Sequence, residues 1–146
     1  MAAAARPMFR RVNHIGVIVE NLGESQRWLA EVFGLPLDRA VDLPEGQVHG
    51  EFYRCGEVDI EIVHIGDPEE RRNRLRGAKV RIEHIAVEVD DLEGTLGRLR
   101  ALGVRTTTPQ PRRVGNVVSA WTVDETTGGV SYQLMQRDPA GAKPAG

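Results

Sequence analysis

Val12-Asn13-His14-Ile15-Gly16-Val17-Ile18-Val19 is a stretch the chain uses twice, for it later reads Ile82-Glu83-His84-Ile85-Ala86-Val87-Glu88-Val89. Position for position the two copies share apolar, polar, His, Ile, small, Val, variable, Val. Each runs into an acidic or amide pair, Glu20-Asn21 or Asp90-Asp91, then a leucine and a helical pattern. A strand alternates its side chains between two faces. One face of the first copy carries Ile15, Val17 and Val19, and the other carries His14, Gly16 and Ile18. The second copy sets Ile85, Val87 and Val89 opposite His84, Ala86 and Glu88. Each strand therefore has an apolar side for a helix and a side bearing a histidine.

Outward from the first copy, Trp28, Leu29, Val32 and Phe33 fall at helical spacing within 22–33, with Gly34 and Pro36 placed to stop the helix. A short strand is expected over 37–43, a turn at Pro44-Glu45-Gly46, and a hairpin of 48–53 with 58–64 around Cys55-Gly56-Glu57. The arginine-rich run 67–76 (Arg71, Arg72, Arg74, Arg76) has one large aliphatic, Leu75, and reads as a solvated helix or loop joining two halves. After the second copy, Leu92, Leu96, Leu99 and Leu102 mark a helix ended by Gly103. A loop follows over 106–113, then a hairpin of 117–123 with 130–135. The class is α+β, with βαβββ written twice: modules at 12–66 and 82–136, a linker at 67–81, and a start (1–11) and tail (137–146) read as disordered. A repeat this long signals duplicated half-domains rather than a solenoid.

Composition narrows the function. The 146 residues carry 19 Lys and Arg against 21 Asp and Glu, a net charge of −2 that gives no electrostatic case for nucleic acid. The single Cys55 cannot form an internal disulfide. No apolar run approaches the ~20 residues of a membrane span, and the first residues lack a signal-peptide core. The expected setting is the cytoplasm, and the expected partners are a small-molecule substrate and a second copy of the chain.

The closing strands of the two halves hold Ile60-Glu61-Ile62 and Tyr132-Gln133-Leu134, an acid and an amide at matching places. Each half thus offers one His near its start and one Glu or Gln near its end, all pointing off the helix-packed face. Two imidazoles, a carboxylate and an amide oxygen form a ligand set for Zn²⁺, Co²⁺, Ni²⁺, Mn²⁺ or Fe²⁺. His14, Glu61, His84 and Gln133 are the candidate ligands.

Further pieces are Phe33-Gly34-Leu35, Leu43-Pro44-Glu45, Asp90-Asp91, Leu102-Gly103-Val104 and Thr127-Gly128-Gly129-Val130. With the two histidine strands and Ile60-Glu61-Ile62 they make the chain resemble the vicinal oxygen chelate superfamily, and within it the methylmalonyl-CoA epimerases. The resemblance implies paired βαβββ modules whose curled sheets enclose a metal site, with the four candidates on its ligand places. It also implies a substrate that is a carbonyl compound, an acyl-CoA among the options. Two departures stand out. The resembled epimerases usually have Glu where Gln133 stands and often Gln where Glu61 stands, and Glu83 replaces the His that usually precedes the second ligand histidine.

The resemblance implies proton removal next to a carbonyl, with an enolate stabilised by the metal and a carboxylate moving the proton. Gln133 cannot be that carboxylate, which leaves Glu61 and Glu51 as catalytic candidates. With Val48 and Phe52 on the helix side, Glu51 lies roughly opposite Glu61 and shares the metal-facing side with His49 and Tyr53. Trp121 and Met135 line the pocket from the second module. The alternatives are a glyoxalase I-like lyase, an iron-dependent extradiol-type dioxygenase, and a metal-free drug-binding resistance protein of the same fold.

Overall fold

The computed structural model describes residues 6–45 and 47–138. The chain divides into two compact units, Asn13–His84 and Met1–Val12 with Ile85–Gly146. Among the described residues no helix is long and apolar enough to cross a membrane.

In the Asn13–His84 unit, β1 (Arg11–Val19) leads into a helix α1 (Leu22–Gln26) that widens into a π-helical turn over Arg27–Val32. The wide turn is closed by the Phe33 N–H on the Trp28 carbonyl, 3.0 Å. Asn21 caps α1, its side chain accepting from the Glu24 N–H. Then come β2 (Leu37–Leu43), β3 (Val48–Cys55), β4 (Val58–Ile65) and α2 (Pro68–Leu75), before β5 (Val80–Glu88). The sheet order is β2-β3-β4-β1-β5. β1 runs parallel to β4, while β2, β3 and β4 pair antiparallel, so the sheet is mixed.

The two faces of this sheet bury different things. One packs Val19, Tyr53 and Ile62 with Val17, Ile60 and Leu22 around Leu29 of the helix. The other packs Ile18, Val63 and Ile65 with Val48 against Leu75 of α2. The arginine-rich run is thus a helix, as one reading of it allowed. Asp67 caps it through the Glu69 and Glu70 N–H groups, Pro68 sits in its first turn, and Arg76 ends it in the left-handed region at φ 50°. Its lone aliphatic packs it on the sheet, and Arg71 Nη1 adds a hydrogen bond to the Ile65 carbonyl at 2.6 Å.

In the other unit, α3 (Leu92–Ala101) is capped by Asp91 and followed by β6 (Arg112–Val114), β7 (Val117–Trp121) and β8 (Ser131–Arg137). The order is β5-β8-β7-β6, with β5 contributing from Ile85 onward. Val87, Val89, Leu92, Leu96, Ala120 and Leu134 form its core. Leu102, expected as the fourth core leucine of the helix, caps it and is exposed. β6 falls at the end of a stretch expected as loop, with only three residues and no buried side chain to announce it.

Of the start expected to be disordered, residues 1–5 lie outside the described residues. Phe9 packs on the core of this unit and β1 opens at Arg11. Of the tail, 139–146 lie outside the described residues, and β8 continues to Arg137.

Candidate metal centre

β1 lies between β4 and β5, so side chains on one face of these strands can meet across it. Gly16 on β1 is in register with Glu61 on β4. The His84 ring, coming from β5, lies over Gly16: a Cβ built there would fall 1.9 Å from His84 Cε1. The absent side chain lets His84 reach across β1 toward Glu61. His14, two residues back on the same face of β1, completes the group. His14 Nε2 is 3.3 Å and His84 Nε2 3.4 Å from Glu61 Oε1, and the two Nε2 atoms are 3.4 Å apart. Gly50 on β3 makes room on the far side, since a Cβ there would stand 2.7 Å from Glu61 Oε2.

These separations fit a metal ion. Donors bound at about 2.0–2.2 Å with near-tetrahedral angles stand roughly 3.3–3.6 Å from one another. All three side chains are withdrawn from solvent, the histidines nearly fully. Asn13 Oδ1 lies 2.8 Å from His14 Nδ1. An Nδ1–H donated to it leaves the Nε2 lone pair aimed at the cluster, as a ligand histidine requires. Burial pushes the Glu61 carboxyl up, but His14 and His84 outweigh it and hold the pKa at about 2. Burial pulls the His84 imidazole down, but Glu61 and Glu83 outweigh it and raise it to about 9.

The edge of the His14 ring meets Phe52, with centroids 5.0 Å apart at 87°. Phe52 pairs with Glu61 in the β3–β4 ladder, and residues directly opposite in an antiparallel pair share a face. This corrects the sequence-based placement of β3. Cys55 pairs with Val58 across a two-residue turn, Gly56-Glu57, with Gly56 at φ +68°. Expecting Cys55 inside the turn shifts the register by one and turns every side chain to the wrong face. Gly50 and Phe52 therefore face the cluster.

Glu51, His49 and Tyr53 face the helix instead. Glu51 accepts from Gln26 Nε2 of α1 through both oxygens, 3.0 and 2.9 Å, and from the Tyr53 hydroxyl, 2.9 Å. His49 bridges Glu51 and Asp42 at 2.8 and 2.7 Å. Burial pushes the Glu51 carboxyl up, but these partners hold it below its ordinary value. It is a satisfied anion beneath the helix, with no free oxygen turned to the metal-facing side.

Gln133 belongs to the other unit. There it lies on β8, pairs with Trp121 and donates from Nε2 to the Ser119 hydroxyl, 3.2 Å. It alternates with Leu134, which is in the core under α3, so Gln133, Trp121 and Met135 share the side away from that helix. Sequence reasoning missed Phe52, Gly16 and Gly50 as parts of the site. The signal was present for Gly16, the position that is small in both copies of the repeat.

Residues 11–142 match the glyoxalase/bleomycin resistance protein/dioxygenase superfamily. The mitochondrial methylmalonyl-CoA epimerase of Dictyostelium discoideum is 32% identical over 104 residues, 70% of this chain and 63% of that protein. The human mitochondrial methylmalonyl-CoA epimerase is 27% identical over 97 residues, 65% of this chain and 55% of that protein. The chain thus spans between about half and two-thirds of the length of these relatives. Methylmalonyl-CoA epimerase from Mycobacterium tuberculosis superposes with a TM-score of 0.81 at 21% identity, over 94% of this chain and 95% of that one. A methylmalonyl-CoA epimerase in complex with methylmalonyl-CoA and NH4+ gives 0.78 at 17% identity, over 90% and 99%. The glyoxalase-like α+β fold that the resemblance implied is the fold of this chain. With a superfamily match running from the first strand through the last, the chain belongs to the glyoxalase/bleomycin resistance protein/dioxygenase superfamily.

Proposed function

We propose that the chain is a divalent-metal-dependent epimerase or isomerase that exchanges the proton next to the carbonyl of an acyl-CoA thioester of the methylmalonyl-CoA kind. The observation that carries the proposal is the convergence of His14, Glu61 and His84 over Gly16. The names of the curated relatives support the substrate class.

The donor set suits Co²⁺, Zn²⁺, Ni²⁺, Mn²⁺ or Fe²⁺. When bound, such an ion supplies Lewis-acid stabilisation of the negative charge that develops on the carbonyl oxygen. His14 and His84 would hold it through their Nε2 atoms, with an Nδ1–H of His14 donated to Asn13 Oδ1 favouring that tautomer, and Glu61 would add a carboxylate oxygen. Its Oε2, over Gly50, is the carboxylate oxygen left to take the substrate proton. Phe52 walls this face against water. With Glu51 on the other face, one carboxylate serves this unit's side of the reaction.

The test is deuterium wash-in from D₂O into methylmalonyl-CoA by protein carrying one Co²⁺ per chain. Wild type is expected to exchange, and Glu61→Gln to lose roughly 10²-fold or more. Metal-loaded wild type that washes in no deuterium refutes the reading. A second reading has one observation in its favour, because two histidines and one carboxylate on a single face are the ligand set of non-haem iron oxygenases. Oxygen uptake by the Fe²⁺ form would select it, and anaerobic wash-in would select the first. We also propose a homodimer, since Trp28, Val32, Phe33 and Leu37 leave large apolar surfaces exposed. Sedimentation as a monomer at micromolar concentration would contradict it.

A further inference from the structure

We infer that Glu83 is a positioning residue for His84, its carboxylate receiving the Nδ1–H of the imidazole whose Nε2 faces the ion, and that Arg74 acts through it. The inference rests on the metal reading of the site. His84 Nδ1 is buried and makes no hydrogen bond. Glu83 Oε1 stands 3.5 Å from it, beyond hydrogen-bond range but within a displacement of well under an ångström of it. An ion drawing on the Nε2 lone pair makes the opposite N–H a stronger donor and favours closing that gap.

The carboxylate is held for the purpose. Arg74 donates from Nε to Glu83 Oε2 at 2.7 Å and from Nη2 to Oε1, a two-pronged grip that sets the orientation of the acid. The guanidinium is itself mounted on α2, fixed to the sheet by the neighbouring Leu75, and the Arg74 carbonyl accepts from Arg81 Nη1 at 3.1 Å. The Glu83 oxygen that receives Arg74 Nη2, Oε1, is the one standing 3.5 Å from His84 Nδ1.

The repeat supplies an independent argument. In both copies a polar residue directly precedes the histidine. In the first, Asn13 receives the outer nitrogen of His14. In the second, Glu83 stands at the matching place beside the outer nitrogen of His84. The two ligand histidines are thus oriented by the same device in two strengths, a neutral amide and an anion. A staple between α2 and β5 alone would not need its oxygen next to an unpartnered imidazole nitrogen.

The experiment measures Co²⁺ affinity by competition with a chelating indicator, together with the hyperfine-shifted exchangeable N–H resonance of His84 in the Co²⁺ protein. Wild type should show that resonance protected from exchange. Glu83→Ala should weaken Co²⁺ binding ~10–100-fold, and Glu83→Gln, which keeps the shape, by less. Both should speed the exchange of the N–H. Arg74→Met should weaken binding in the wild-type background and have no effect in Glu83→Ala, as expected if it acts only through the acid. Far-UV circular dichroism reports folding, and Glu83→Gln carries the test if Glu83→Ala does not fold. Wild-type affinity and exchange in folded Glu83→Gln and Glu83→Ala overturn the role of Glu83. An equal loss from Arg74→Met in both backgrounds removes Arg74 from it. Wild-type protein that binds no Co²⁺ refutes the metal reading itself, a different failure from unchanged affinity in the variants.

Discussion

Replacing Gly16 by alanine tests the geometry of the centre with one methyl group. The added Cβ would lie 1.9 Å from His84 Cε1 and 2.3 Å from its Nε2. Carbon atoms in contact stand about 3.5–4.0 Å apart, so the ring must retreat by roughly 1.6 Å. Metal-ligand bonds tolerate only about 0.2 Å, so His84 leaves the coordination sphere. Disturbing a residue that merely orients a ligand costs ~10–100-fold in affinity. Displacing the ligand should cost at least the upper end, roughly 100-fold, or about 2.8 kcal/mol at 1.4 kcal/mol per decade. Overpacking adds about 1–3 kcal/mol of destabilisation. The assay is Co²⁺ titration against a competing chelator, with metal per chain after dialysis and a thermal melt. Gly97→Ala on α3, where an added Cβ meets nothing within 4 Å, is the control and should bind Co²⁺ as wild type does. A folded Gly16→Ala protein with wild-type affinity would refute the claim that the ring lies over this glycine.

Glu51→Gln should leave Co²⁺ affinity unchanged and lower stability by about 1–3 kcal/mol, because buried Tyr53 and half-buried Gln26 and His49 lose an anion rather than a metal contact; a loss of metal with the melt unaltered would put it back at the centre. Leu75→Ala, removing the aliphatic that α2 buries against Ile18, Val63 and Ile65, should cost about 2–4 kcal/mol in a denaturant melt, whereas a solvated linker would lose under 1. Burial and the Glu51 carboxylate push the Tyr53 hydroxyl up from 10.0 to about 12. The folded value lies above the unfolded one, so this contribution to stability is whole below pH 10 and is lost as pH rises toward 12. Absorbance at 295 nm should show one of the two tyrosines ionising late, and Tyr53 titrating near 10 in folded protein would contradict the buried contact.

The fold was readable because the histidine strand is written twice and both copies alternate cleanly. Val19, and likewise Val87 and Val89, are buried under helices as their period requires, with Val17 packed partly buried beside Val19. His14, Glu61 and His84 were readable as a set for the same reason. The rest depended on distances that sequence spacing does not encode. The face of β3 turns on whether the hairpin loop holds two residues or three, and Cys55-Gly56-Glu57 does not say which. The burial of Leu75 was hidden by the four arginines around it, whose charge suits water while one side chain decides how the helix packs. Gly16 and Gly50 matter through atoms they lack, and the neighbour that fills the space comes from another strand.

The β3–β4 hairpin has a consequence for how the chain can change length. Surface loops ordinarily absorb insertions cheaply, but here the register of the strands beyond the loop is a parity switch. One extra residue at Gly56-Glu57 that slid β3 by one place against β4 would present His49, Glu51 and Tyr53 to the imidazoles and turn Phe52 under the helix, whereas one taken up in a three-residue loop would leave Phe52 opposite Glu61. A slide of two places would restore the original faces. A longer turn in functional descendants should therefore keep Phe52 opposite Glu61, either by widening the loop or by a bulge further along β3 that undoes the slide.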